Sequence, residues 1–127
     1  MYFLHVKIFG TSLNKERLDE GLALSPSVFV KREDLTREAV AAGAMDSWIY
    51  TVENDDPKGL ESSIDALADH LYKRKELFEE LVREKASLYF VLTPYPDSYQ
   101  VIISLKNDVI SKLSEMGFCV TVDIMSV

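Results

Sequence analysis

Two histidines, one cysteine and a run of carboxylates are the residues of this 127-residue chain whose types could do chemistry. None has a spacing that activates it. His5 and His70 lie far apart, with no serine, cysteine or carboxylate at a catalytic spacing from either. Cys119 is the only cysteine, so there is no Cys-x-x-Cys pair and no internal disulfide. A Gly-x-Ser-x-Gly turn and a glycine-rich phosphate loop are also absent. A histidine on a strand or a helix flank ordinarily makes one local hydrogen bond. Cys119, between Phe118 and Val120, reads as a small, partly buried hydrophobe. No catalytic residue, cofactor site or metal site is assigned, and the chain reads as a non-enzyme.

The carboxylates are more informative. Between positions 46 and 69, seven acids (Asp46, Glu53, Asp55, Asp56, Glu61, Asp65 and Asp69) face a single base, Lys58. Glu61, Asp65 and Asp69 recur every four residues, which stacks them on one helix stripe. Like charges at that spacing repel by roughly 0.2–0.5 kcal/mol per pair. A helix dipole favours acids in the first turn by ~0.3–1 kcal/mol each. That covers Asp55 and Asp56 but does not reach Asp69. The stripe is then either a solvated face or an acidic docking surface for a basic protein partner. Carboxylates four apart without a histidine make a poor metal site. Trp48, on a nearby strand, is the aromatic anchor such a surface would use. The partner-binding candidates are therefore Trp48, Asp55, Asp56, Glu61, Asp65 and Asp69.

Bulk properties narrow the classes. The net charge is −7 and the pI about 4.8. Phosphate backbones and anionic membranes both need clustered Lys and Arg, so nucleic acid and membrane surfaces are not expected partners. A hydrophobic share of 47% with 28% charged residues describes a globular chain. Its length suits one domain over residues 1–127. The first ten residues alternate like a strand and lack a basic leader, so no export signal is expected. The cytoplasm is the expected location.

The elements that must position these residues follow from periodicity. Tyr2, Leu4, Val6 and Ile8 alternate with Phe3, His5, Lys7 and Phe9, which predicts a strand ended by Gly10. Asn14 caps a helix from Lys15 to Leu22, with Leu18 and Leu22 on its apolar face. Val28–Lys31 is a short strand. The Arg32–Ala44 stretch is open between a helical turn and a loop. Residues 45–52 form a strand. Asp56-Pro57 then starts a helix, and Leu60, Ile64, Leu67, Leu71, Phe78 and Leu81 fall on one stripe. Run through to Lys85 it would be roughly 43 Å long, against ~17–27 Å for the strands. It must overhang or break near Lys73-Arg74-Lys75. Leu88–Thr93 and Tyr99–Ser104 read as a hairpin. A third helix from Asn107 carries Val109, Ile110, Leu113 and Met116 inward and stops at Gly117. Phe118–Met125 is the last strand. The fold class is α+β: a single, mostly antiparallel sheet of about six strands, three helices mainly on one face, a ferredoxin-like relative.

Three stretches, in this order, resemble a bacterial family defined as domain of unknown function number 4279. They are Ser12-Leu13-Asn14-Lys15-Glu16 through Leu22, Leu24 and Pro26; Asp46-Ser47-Trp48-Ile49; and Ser104-Leu105 through Leu113, Met116-Gly117 and Asp123-Ile124. Lys15, Arg32 and Asp46-Ser47 depart from the family pattern, which has proline or glycine there. The resemblance implies a bacterial cytosolic α+β protein and carries no activity. Three functions remain in view. The first is a protein-interaction module, in its sharpest form an immunity-type inhibitor of a basic toxin. The second is a small-ligand binder or weak enzyme with a pocket between the sheet and residues 32–44. The third is a homodimer formed through a sheet edge or face.

Overall fold

The computed structural model describes residues 1–95 and 103–124. Five strands form one sheet: β1 (Tyr2–Gly10), β2 (Val28–Val30), β3 (Asp46–Asn54), β4 (Ser87–Pro94) and β5 (Phe118–Val122), in the order β2-β3-β1-β4-β5. Strand β1 lies at the centre and pairs antiparallel with β3 and with β4 along its length. Its residues alternate between buried and half-buried, as period two requires. Leu4, Val6 and Ile8 point to the helices, and Phe3, His5, Lys7 and Phe9 to the other face.

The helices are α1 (Lys15–Leu22), α2 (Arg37–Ala41), α3 (Pro57–Tyr72), α4 (Lys75–Arg83) and α5 (Asn107–Met116), with a 3-10 turn at Arg32–Asp34. The Asn14 side chain caps α1 through the Arg17 N–H at 3.0 Å. Asp56 caps α3 through the Gly59 N–H at 2.6 Å. The long apolar stripe breaks at the expected place. Arg74 separates α3 from α4, and its guanidinium donates to the His70 carbonyl at 2.7 Å. Arg17 ties α1 to α4 by ion pairs to Glu80 and Glu84. Gly117 ends α5 at φ 93°, where a side chain is strained.

Two features of the expected fold are corrected. The described residues form five helices rather than three, because α4 is separate and Thr36 caps the short α2. The sheet is mixed, with five described strands rather than six. A strand that follows a ten-residue helix returns from the same end, so β5 runs parallel to β4. The expected strand at Tyr99–Ser104 lies largely outside the described residues; Ile103 and Ser104 are in no regular element. Strands β3 and β4 flank β1, with α3 and α4 crossing between them. This split β-α-β arrangement also occurs in ferredoxin-like sheets. Helices α1, α3, α4 and α5 bury Leu18, Leu22, Leu60, Ile64, Leu71, Phe78, Leu81 and Leu113 against one face of the sheet. Ile110, expected inside, is exposed.

One buried carboxylate roots the irregular segment between β2 and β3. Asp46 is 1% exposed. It accepts from the Leu13 N–H at 2.9 Å, the Arg32 N–H at 2.8 Å and the Lys31 ammonium at 2.8 Å. Burial alone would push this carboxyl up. The three donors outweigh it and hold the carboxyl below its ordinary value. Asp46→Ala strands two backbone N–H groups and is expected to cost roughly 1–3 kcal/mol. A group with a depressed folded pKa stabilises above its unfolded pKa and stops doing so as pH falls through its folded value. The gap between wild type and variant in urea unfolding should therefore close on acidification. An equal gap at neutral and strongly acidic pH would refute this account.

Candidate functional site

The face of the sheet away from α1, α3, α4 and α5 carries the candidate site. The pleat places Phe3, His5, Lys7 and Phe9 of β1 there. Their register partners Ser47, Ile49 and Thr51 on β3, and Ser87, Tyr89, Val91 and Thr93 on β4, lie beside them. Cys119 and Thr121 extend the face onto β5. On this floor lies a groove of about 750 Å³. Its floor is Lys7, Phe9, Ser47, Tyr89, Val91 and Thr121; its side wall is Leu35 and residues 43–45. The wall comes from the segment that Asp46 holds at its root. Phe9 and Tyr89 meet edge to face, 5.7 Å between ring centres. Asp123 closes one end, fixed by its N–H on the Leu92 carbonyl at 2.8 Å. A second, more polar cleft of about 510 Å³ lies over the Asp46–Lys31 pair, with Lys15, Arg32 and Glu33 on its lining.

The two histidines have separate, structural settings. His5 shares a hydrogen bond with the Thr51 hydroxyl at 2.9 Å. Burial first, and the Lys7 charge second, push its imidazole below the ordinary value. His70, on α3, donates through Nε2 to the Leu22 carbonyl at 2.6 Å and so caps α1 from outside. Cys119 is exposed rather than partly buried, because β5 is an edge strand and Cys119 points away from the helices. Among the described residues, no three His, Cys, Asp or Glu side chains gather as a metal site would need. No described helix is long and apolar enough to cross a membrane.

The partner-binding candidates are not brought together into one surface. Trp48 is fully buried, and its indole N–H donates to Asp19 at 2.9 Å, which leaves no ring face for a partner. Asp56 is spent on the α3 cap. Asp55 is exposed beside it. Glu61, Asp65 and Asp69 do share a stripe of α3, and each has a partner from the chain leading into α5 or from α5 itself. Glu61 accepts from the Ser104 N–H at 2.8 Å, Asp65 from Lys106 at 2.9 Å and Asp69 from Lys112 at 2.7 Å. The Lys112 hydrogen bond holds Asp69 below its ordinary carboxylate value. The lysines are some forty residues away in sequence, which is why local spacing shows only the repulsion. Sequence reading pointed to a pocket between the sheet and residues 32–44 but did not single out Lys7, Phe9, Tyr89 or Asp123. Their one signal is that β1 carries aromatic residues on both faces.

An α+β sheet with one helix-covered face and one grooved face is thus the class of protein the fold defines. The chain belongs to the family described as Domain of unknown function (DUF4279), whose model matches residues 1–126. No curated protein and no solved structure matches the chain.

If the stripe fastens α5 to α3, Asp69→Lys should lower the melting temperature at low salt. In ~1 M salt, where the screening length is only ~3 Å, most of that difference should vanish. Differential scanning fluorimetry at both salts checks this, and equal melting temperatures at low salt would show that the pair holds nothing.

Proposed function

We propose that the protein is a non-enzymatic binding module that takes a small ligand on the open face of its sheet. One observation carries this reading: the groove of about 750 Å³ between that face and the segment rooted by Asp46. The size falls in the ~300–1,000 Å³ range of ligand pockets, and the lining mixes apolar walls with a few polar groups as such pockets do. Among the described residues of its lining, no Ser or Thr hydroxyl is hydrogen-bonded to Lys7 or Asp123, which favours binding over turnover. Replacing the small wall residue with Ala44→Trp should fill the groove while leaving the core untouched. A metabolite screen by thermal shift should then give a hit with the wild type that is lost in this variant. A hit of equal size in Ala44→Trp would place binding elsewhere.

A second reading, the protein-interaction module, is favoured by the apolar residues left exposed at the end of β5 and just past it. Val122 is 53% and Ile124 68% exposed. An immunity-type inhibitor of a basic toxin is its sharpest form, and a second copy of the chain is the other partner an edge strand admits. A basic partner using Asp55, Asp56, Glu61, Asp65 and Asp69 must first displace Lys106 and Lys112. The β5 edge asks for no such displacement. Under this reading, Val122→Lys reduces partner capture or dimer mass in light scattering, whereas Glu61→Lys leaves both unchanged; the reverse pattern would return the interface to the stripe.

A further inference from the structure

The groove's charges say which small molecules suit it. Lys7 and Asp123 are the charged side chains on its lining. Neither has an ion-pair partner among the described residues; Lys15, Lys31, Lys75, Lys106 and Lys112 pair with carboxylates, and the remaining Lys58, Lys73 and Lys85 are exposed. Lys7 is half-buried on the central strand, between Ile49 of β3 and Tyr89 of β4. Its stem lies along apolar surface and its ammonium is left without a counter-ion in a protein of net charge −7. Two residues along the strand, Phe9 packs edge to face on Tyr89, which lines this part of the groove with aromatic carbon. Asp123 is anchored past the end of β5, two strands away from Lys7.

We propose that the groove binds small aromatic monocarboxylates: the carboxylate pairs with the Lys7 ammonium, and the ring lies on the Phe9–Tyr89 floor. An ammonium without a protein partner gains a charge-assisted hydrogen bond from a carboxylate oxygen. An arene gains from aromatic neighbours beyond the area it buries. The register puts Asp123 level with Leu92 and Leu4, on the side of Lys7 away from Phe9, so it repels a second carboxylate held beside the first at the Lys7 end, and geminal dicarboxylates on the same ring are disfavoured. This assignment rests on the groove being the binding site, and the test separates the two.

The probes are matched triplets of aryl carboxylate, carboxamide and amine, built on phenyl, naphthyl and indole rings, with phenylmalonate as the dianion. They are titrated into the full-length ¹⁵N-labelled protein, and the amide shifts of Ser47, Tyr89 and Thr121 are followed. The carboxylates are expected to move these signals and the amides to bind roughly tenfold more weakly or worse, as a lost charge-assisted contact requires. Lys7→Met keeps the stem and the strand but removes the charge, and should erase the preference for acid over amide. Asp123→Asn should admit phenylmalonate. If amides or amines move the groove signals as strongly as the acids do, the carboxylate assignment is wrong and the groove stands. If no probe moves them, both the assignment and the groove as a binding site fall.

Discussion

The central strand β1 decides most of this structure. It is paired on both sides along nearly its whole length, so its backbone groups are satisfied within the sheet. Its side chains alternate between two unlike environments. Leu4, Val6 and Ile8 are fully buried under helices, and every other helical or strand residue of the core is arranged around them. The opposite side, Phe3, His5, Lys7 and Phe9, is half-buried. Because a one-residue slip in register would exchange the two sets, β1 also fixes the register of β3 and β4. The open face is therefore a consequence of the core.

That face becomes a groove only because a wall stands beside it. The 3-10 turn and α2 bury none of their own residues, so packing does not hold them. Their root is Asp46, at the start of β3. Its two oxygens gather the loop before α1, the end of β2 and the Lys31 ammonium. A buried carboxylate with three donors is costly to form and costlier to break, since each donor loses its partner with it. Asp46 thus sets where Leu35 and Met45 sit against the sheet.

The negative charge of the chain has a partly internal use. Three carboxylates on α3 would repel one another if solvated alone. Opposite them the chain brings the Ser104 N–H, Lys106 and Lys112, so repulsion along one helix becomes attraction between two. These contacts sit at the surface and each is weak. Together they align the segment that leads into α5, and α5 in turn sets β5 parallel to β4. Asp55 and the exposed β5 residues stay outside this arrangement.

Local chemistry determined the elements. Strand alternation in β1, the Asn14 and Asp56 caps, the apolar stripe from Leu60 to Leu81 with its break at Arg74, and Gly117 as a helix stop all act within a few residues, and all were legible. The α+β class and the family resemblance were legible for the same reason, since both rest on ordered local units. What required the tertiary structure was every contact between distant residues. Trp48 reads as an aromatic anchor on its strand, and only packing reveals that helices cover it and that Asp19 takes its N–H. The acidic stripe reads as repulsive until Lys106 and Lys112 are brought to it. The groove joins residues from position 7 to position 123, and no local pattern marks it. Periodicity tells which residues share a face of one element; which faces meet, and which one stays open, is decided by how the elements pack.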